Sequence, residues 1–187
     1  MQIDSTPEAP EPVIRAALAA EAERLSDLMR STFLDANGHC STPANVAAFL
    51  DAVYSPATQR REIADPDILT WIVESPHGGG AWAGFAQLRF ATRAPEEVGL
   101  RHPVELGRIY LAPSFQGRGL ARTLMLHLCD EARRRGADGL WLNVWQEATQ
   151  AIRFYTKHGF RIVGRSIFTV GDDPKDDWVM VRALYPD

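Results

Sequence analysis

Residues 105–121 constrain the fold of this chain more than any other segment. An apolar strand pattern ends at Pro113, passes into Gln116-Gly117-Arg118-Gly119-Leu120-Ala121, and runs straight on as an amphipathic helix pattern. A strand joined to a helix by a glycine turn needs a sheet on which that helix can lie, which points to an α/β architecture. The junction also carries chemistry. The first amides of a helix lack intrahelical acceptors and sit at the positive end of its dipole, so small residues there let a phosphate approach the main chain. A tight turn would use the same glycines without binding anything, and both readings stand at this point. A dinucleotide fingerprint would need glycine or alanine where Arg122 stands, and a mononucleotide loop would need Gly-Lys-Ser/Thr, so neither fits.

Short elements surround this junction. Residues 13–18 read as a strand and 20–35 as a helix, stopped by Asn37 and Gly38. Thr42-Pro43 and Ser55-Pro56 each open a helix with a capping hydroxyl followed by proline, and this helical region ends near Asp65-Pro66. Strands are expected at 68–74 and 81–90, parted by a turn at Pro76-His77-Gly78-Gly79-Gly80. Later come a strand at 104–112, a helix at 119–135, a strand at 139–145, a helix at 147–157, and strands at 160–170 and 178–184 around a turn at 171–177. The strand-helix-strand succession implies a parallel crossover and the hairpins imply antiparallel pairs, so the sheet is expected to be mixed.

Composition narrows the class of function. The 187 residues are expected to form one domain, 13–187, behind a loose proline-bearing tail, 1–12. Lys and Arg number 20 against 24 Asp and Glu, so the net charge of −4 disfavours a nucleic-acid surface and suits a cationic substrate. Two cysteines, Cys40 and Cys129, make no disulfide framework, and the five histidines show no metal-ligand spacing, so no metal site is expected. With no export signal and no apolar run of spanning length, a cytoplasmic protein without a membrane partner is expected.

Gln116-x-x-Gly119-x-Ala121 resembles the coenzyme A loop of the GCN5-related N-acetyltransferase (GNAT) superfamily, and Ala151-Ile152-Arg153-Phe154-Tyr155-Thr156-Lys157-His158-Gly159-Phe160 resembles its fourth helix and the glycine turn after it. The likeness implies an α/β GNAT fold, with a mixed central β-sheet of about seven strands flanked by helices. It also implies transfer of an acetyl group from acetyl-coenzyme A to a primary amine by direct attack. The closing stretch with Gly171, Asp172, Asp173 and Asp177, together with Arg108-Ile109-Tyr110, resembles the branch that acetylates spermidine and spermine. A polyamine is therefore the favoured small-molecule acceptor. Acetylation of a protein or antibiotic amine, and a non-catalytic coenzyme A-sensing module, are the alternatives, and a homodimer stays open.

The same resemblance assigns residues. The pantetheine arm would lie along the backbone of Ile109, Tyr110 and Leu111, and the diphosphate on the amides from Gln116 through Gly117, Arg118, Gly119 and Leu120 to Ala121, with Arg118 or Arg122 as a charge partner. The family often carries Asn where Ala148 stands, so that contact is missing here or supplied elsewhere, with Asn143 as the candidate. Glu105, eleven residues before Gln116, matches the base glutamate of the histone-acetylating branch and is either a base acting through water or a rim carboxylate that attracts cations. Ala148, Ala151, Ile152 and Tyr155 fall on one helical stripe, so Tyr155 is either a core residue or, at this motif position, a phenol presented as a proton donor to sulfur. The acidic run Asp172, Asp173, Asp176 and Asp177 either steers a polycation or is a solvated turn.

Overall fold

The computed structural model describes residues 12–75 and 79–185, so almost all of the expected tail, and Pro76, His77 and Gly78 of the expected turn, lie outside the described residues. The chain runs β1 (Val13–Ala16), α1 (Ala22–Asn37), α2 (Pro43–Val53), α3 (Pro56–Ala64), β2 (Ile68–Glu74), β3 (Trp82–Arg89), β4 (Pro103–Leu111), α4 (Leu120–Arg134), β5 (Gly139–Trp145), α5 (Thr149–Lys157), β6 (Arg161–Val170) and β7 (Asp173–Ala183). Seven strands form one sheet in the order β1-β2-β3-β4-β5-β7-β6. Only β4 and β5 pair in parallel, and every other neighbour pair is antiparallel. Among the described residues no helix is long and apolar enough to cross a membrane.

Local chemistry accounts for the elements. Thr42 and Ser55 cap α2 and α3 by accepting the amides of Asn45 and Thr58, both at 3.3 Å, ahead of Pro43 and Pro56. The expected glycine stop of α1 takes a different form. Gly38 stays in the right-handed region and its N–H donates to the Leu34 carbonyl, so the helix simply runs out after Asn37. Two apolar layers cover the sheet. On one face Leu124, Met125, Leu128, Cys129 and Ala132 of α4 pack with Val73, Leu88, Leu106, Leu142 and Met180. On the other, Leu25, Met29 and Phe33 of α1 and Phe49 of α2 pack on Ile72 and Phe85.

The expected turn at 171–177 is corrected by the structure. Only Gly171 and Asp172 turn, and β7 begins at Asp173. Pro174 and the four carboxylates disguise the strand, but the ladder to β6 continues through Thr169–Pro174 and Val170–Asp173. Proline is tolerated at the start of a strand, and alternation turns Asp173, Lys175 and Asp177 to one face and Pro174 and Asp176 to the other.

A buried ion cluster holds α3 to the sheet. Glu62 of α3 accepts hydrogen bonds from Arg108 of β4 and Arg89 of β3, each at 2.5 Å, and from Gln87 at 3.1 Å. Arg108 is 8% exposed, and its guanidinium also lies 4.9 Å from the centre of the Tyr54 ring. Burial opposes charge on Glu62, but Arg108, Gln87 and Arg89 outweigh it and hold the carboxyl below its ordinary value. Removing one partner of such a cluster strands the other charges. Glu62→Gln should therefore lose about 3 kcal/mol of unfolding free energy at pH 7 by denaturant titration. Because the Glu62 value is lowered on folding, its contribution is complete above the ordinary carboxylate range and fades as pH falls below it, so the gap between variant and wild type should narrow in acid.

Candidate active site

The centre of the sheet opens into a gap. β4 and β5 pair only through Pro103–Gly139, Val104–Leu140 and Glu105–Trp141, and beyond Glu105 the main chain of β4 has no β5 partner among the described residues. The parting has a local cause. Opposite β3, Leu106 pairs with Leu88 and Arg108 with Gln87, so Gly107 is a surplus residue, and a bulge of this kind bends its strand and sharpens its twist. The bend falls two residues after the last parallel pair.

Main chain, side chains and a helix frame the gap. Ile109 and Leu111 pack toward the α4 layer. Tyr110 faces the α1 layer, where its ring stacks on Phe85 at 5.5 Å and its hydroxyl accepts a hydrogen bond from Asn37 Nδ2 at 3.2 Å. From α5 the stripe Ala148, Ala151, Ile152 and Tyr155 packs on the α4-side core, as its spacing implies. Burial pushes the Tyr155 phenol above its ordinary value. The Tyr110 phenol is pushed up by burial and then by Tyr54 and Tyr155.

At the head of the gap the glycine loop leads into α4. Gly117 and Gly119 have φ of 75° and 81°, a conformation that side-chain-bearing residues rarely adopt, and a Cβ at either position would meet nothing within 4 Å. Open space therefore lies beside both glycines. Arg122 and Thr123 both donate their amides to the Gly119 carbonyl, and the Gln116 amide donates to Pro113 at 3.2 Å. The Gln116 side chain bonds the Leu111 carbonyl at 3.1 Å. Gln116 therefore braces the loop against the end of β4, and its amide is already spent, whereas the sequence reading counted it among the diphosphate donors. Arg118 lies 6.0 Å from the Phe115 ring centre.

Glu105 sits at the closed end of the gap, level with Trp141 on β5 and Arg89 on β3. Asn143 does not stand on the side of Ala148. Leu142 and Val144 point into the α4 layer, so Asn143 faces the other way, and its Oδ1 accepts a hydrogen bond from Ser166 Oγ of β6 at 2.9 Å. The structure therefore brings together Tyr155, the 109–111 main chain and the glycine loop, places Glu105 at the base, and puts the Asn143 side chain on the opposite face from α5. Among the described residues no group of His, Cys, Asp and Glu could hold a metal ion.

Three residues escaped the sequence reading. Gly107, a glycine inside a strand pattern, is the usual sign of a bulge and was legible as such. Glu62 gave no signal, because nothing in a helix of nine residues marks which carboxylate will meet two arginines. Asp177 was seen only as one of four acids, yet it is 5% exposed and its Oδ1 has no hydrogen-bond partner among the described residues.

Comparison with known proteins settles the family. The Acetyltransferase (GNAT) family model matches residues 24–160. The chain belongs to the GNAT acetyltransferases. An uncharacterized N-acetyltransferase of Mycobacterium tuberculosis (strain ATCC 25618 / H37Rv) is 34% identical over 164 residues, covering 88% of this chain and 98% of the relative. One from Lactobacillus delbrueckii subsp. lactis is 31% identical over 157 residues, covering 84% and 88%. The PaiA N-acetyltransferase of Thermoplasma acidophilum, solved in complex with coenzyme A, matches in fold with a TM-score of 0.73 at 19% identity, covering 92% of this chain and 99% of that one. The protein is thus an acetyl-coenzyme A-dependent N-acetyltransferase with the α/β GNAT fold.

Asp177 gives this site a pH signature. Burial, and then the neighbouring Asp176, raise its value from 3.8 to about 6. A carboxyl whose value rises on folding makes the fold lose stability as pH climbs from its unfolded to its folded value, after which the penalty stays constant. Of the charged groups near it only Asp176 adds to the shift, while Lys175 pairs with Asp173 on the same strand and the Arg165 guanidinium lies over the Trp178 ring. Asp177→Asn should match wild type near pH 4 and gain on it by about 2 kcal/mol by pH 7, read from denaturant midpoints at both values.

Proposed function

We propose that this GNAT enzyme acetylates a primary aliphatic amine on a small molecule, with a polyamine as the favoured acceptor, and that the gap between β4 and β5 is its reaction cleft. The observation that carries the reading is the end of the parallel ladder at Glu105–Trp141, with the glycine loop at the head of the opening and the Tyr155 stripe along it. Acetyl-coenzyme A supplies the electrophilic thioester carbonyl. The main chain of Ile109, Tyr110 and Leu111 holds the pantetheine arm. The amides from Gly117 to Ala121 hold the diphosphate, and Arg118 and Arg122 supply positive charge near it. Support for the cradle lies in the open space beside both glycines and their position at the start of a helix of 15 residues.

The acceptor must lose a proton. An aliphatic amine with a Lys-like pKa near 10.4 is neutral at pH 7 only at a cost of about 4.6 kcal/mol. Glu105, at the closed end of the cleft, takes that proton through water. Tyr155 serves the leaving sulfur. Its partly buried phenol, held above its ordinary value, is protonated at pH 7 and donates a hydrogen bond as negative charge builds on the thiolate. Full transfer from a phenol to a thiolate is uphill by about 2 kcal/mol even at ordinary values, and burial steepens it, so the nascent amide gives up the final proton. The polyamine preference is supported by the buried Asp177 carboxylate on β7, whose Oδ1 has no hydrogen-bond partner among the described residues, and by the net charge of −4.

Two measurements test the mechanism. Tyr155→Phe should lower kcat for spermidine about tenfold or more with little change in the KM for acetyl-coenzyme A, and unchanged kcat would remove the phenol from the chemistry. Glu105→Gln should abolish the acidic limb of the kcat/KM profile against pH, and a retained limb would leave Glu105 as a rim charge only. Both are scored by release of coenzyme A thiol.

A further inference from the structure

Asp177 is a buried carboxylate with an unanswered oxygen. Alternation along β7 sends Asp177, Val179 and Val181 to the face that carries Trp141, Asn143 and Trp145 of β5, and Asp177 lies in register between Trp145 on β5 and Ser166 on β6. The nearby cations are committed elsewhere. Lys175 Nζ lies 2.7 Å from Asp173, which also accepts from Ser41 Oγ at 2.6 Å, and the Arg165 guanidinium is 5.0 Å from the centre of the Trp178 ring. Trp145 packs with the α1 and α2 core beside Tyr110, and its ring lies 5.5 Å from that of His39. Buried polar atoms in native structures nearly always have a partner, and buried carboxylates are normally paired. A lone carboxylate oxygen on the residue paired with Trp145 is therefore the environment that an alkylammonium group would complete, through charge and a neighbouring ring.

We propose that Asp177 anchors a second cationic nitrogen of the acceptor, distinct from the nitrogen that is acetylated. The proposal rests on the amine-acetylating reading above and sharpens it: the acceptor carries at least two ammonium groups on a flexible aliphatic chain. Register sets the spacing. Glu105 is level with Trp141 and Asp177 with Trp145, on the same face of the sheet. Four residues along β5 and two strand spacings across put the two Cα atoms roughly 16 Å apart, at ~3.3 Å per residue and ~4.8 Å per strand. One nitrogen served by Glu105 through a water cannot also reach Asp177, whereas a linear di- or polyamine can address both ends. Asp177 would thus be a specificity residue, whose carboxylate favours the longer dication over a simple amine.

The test compares spermidine with n-butylamine on the full-length enzyme and on Asp177→Asn, which the pH argument above expects to remain folded, a point checked by its thermal unfolding. In wild type, kcat/KM should favour spermidine, and in the variant that preference should shrink at least tenfold, chiefly through a higher KM for spermidine. A preference ratio that stays the same in the variant overturns the proposal, whether both activities fall together or neither changes. A second arm does not depend on turnover. Calorimetric titration of spermidine into enzyme saturated with coenzyme A should show affinity in wild type that weakens about tenfold in the variant. Wild-type affinity retained by the variant, or no spermidine binding to wild type, overturns the anchor. If instead no amine releases thiol from acetyl-coenzyme A but the calorimetric difference is present, the reaction reading fails while the anchor stands.

Discussion

One surplus residue in β4 organises the site. Where Gly107 is added, the strand keeps its ladder to β3 but loses the one to β5 two residues earlier, and the sheet opens along the parallel seam between β4 and β5. Strands left without a partner in the middle of a sheet expose amides and carbonyls that want hydrogen bonds, which elsewhere is a liability. Here the exposed run, 106–111, forms one wall of the proposed cleft and can offer its main chain to an extended ligand. The bulge does not act alone. Ile109 and Leu111 are held by the α4 layer and Tyr110 by its stack on Phe85 and its bond to Asn37, so β4 is packed on both faces while it diverges. The gap is therefore a packed feature with fixed walls.

Charge is divided along this opening. At its head the loop and the start of α4 present main-chain donors and arginines. On the α1 side of the sheet the acids Glu105 and Asp177 lie where an amine would enter. Between them, Arg108 reaches toward α3 and pairs with Glu62, which also takes Arg89, so a buried arginine on the strand beside the cleft contributes structure. In the proposed reaction an anionic donor and a cationic acceptor each meet the opposite sign, and their charges approach only through the gap.

Much of this was legible in the sequence, for identifiable reasons. β5 was placed to the residue, because its apolar run is bounded by Gly139 and by the polar residues after Trp145. The caps of α2 and α3 were read from Thr42-Pro43 and Ser55-Pro56, where the local chemistry is sufficient by itself. The α5 stripe followed from spacing alone. β7 was misread at its start, since Pro174 and a run of acids look like a turn until a partner strand supplies the ladder that makes them a strand. The side of Asn143 was missed for a related reason: which face a strand residue takes is set by alternation from anchored neighbours, and motif spacing carries no information on it. Glu62 with its two arginines depends on residues from 46 to 27 positions apart in the chain, which no local pattern encodes.

The cost of the site is visible in its own side chains. A chain selected for stability alone would place an apolar residue at Asp177, where Val179 and Val181 already continue the buried face, and would remove a carboxyl whose burial raises its value to about 6. Local rules are broken in native proteins mostly where function requires it. Gly107 breaks the ladder, Gly117 and Gly119 adopt a left-handed backbone, and Asp177 leaves an oxygen unbonded, and each departure lies beside the opening of the sheet. The first parts the strands, the second bares the amides, and the third leaves a charge wanting a partner. Donor and acceptor bound together would answer all three, so their binding energy would be drawn from contacts that the free protein is built without.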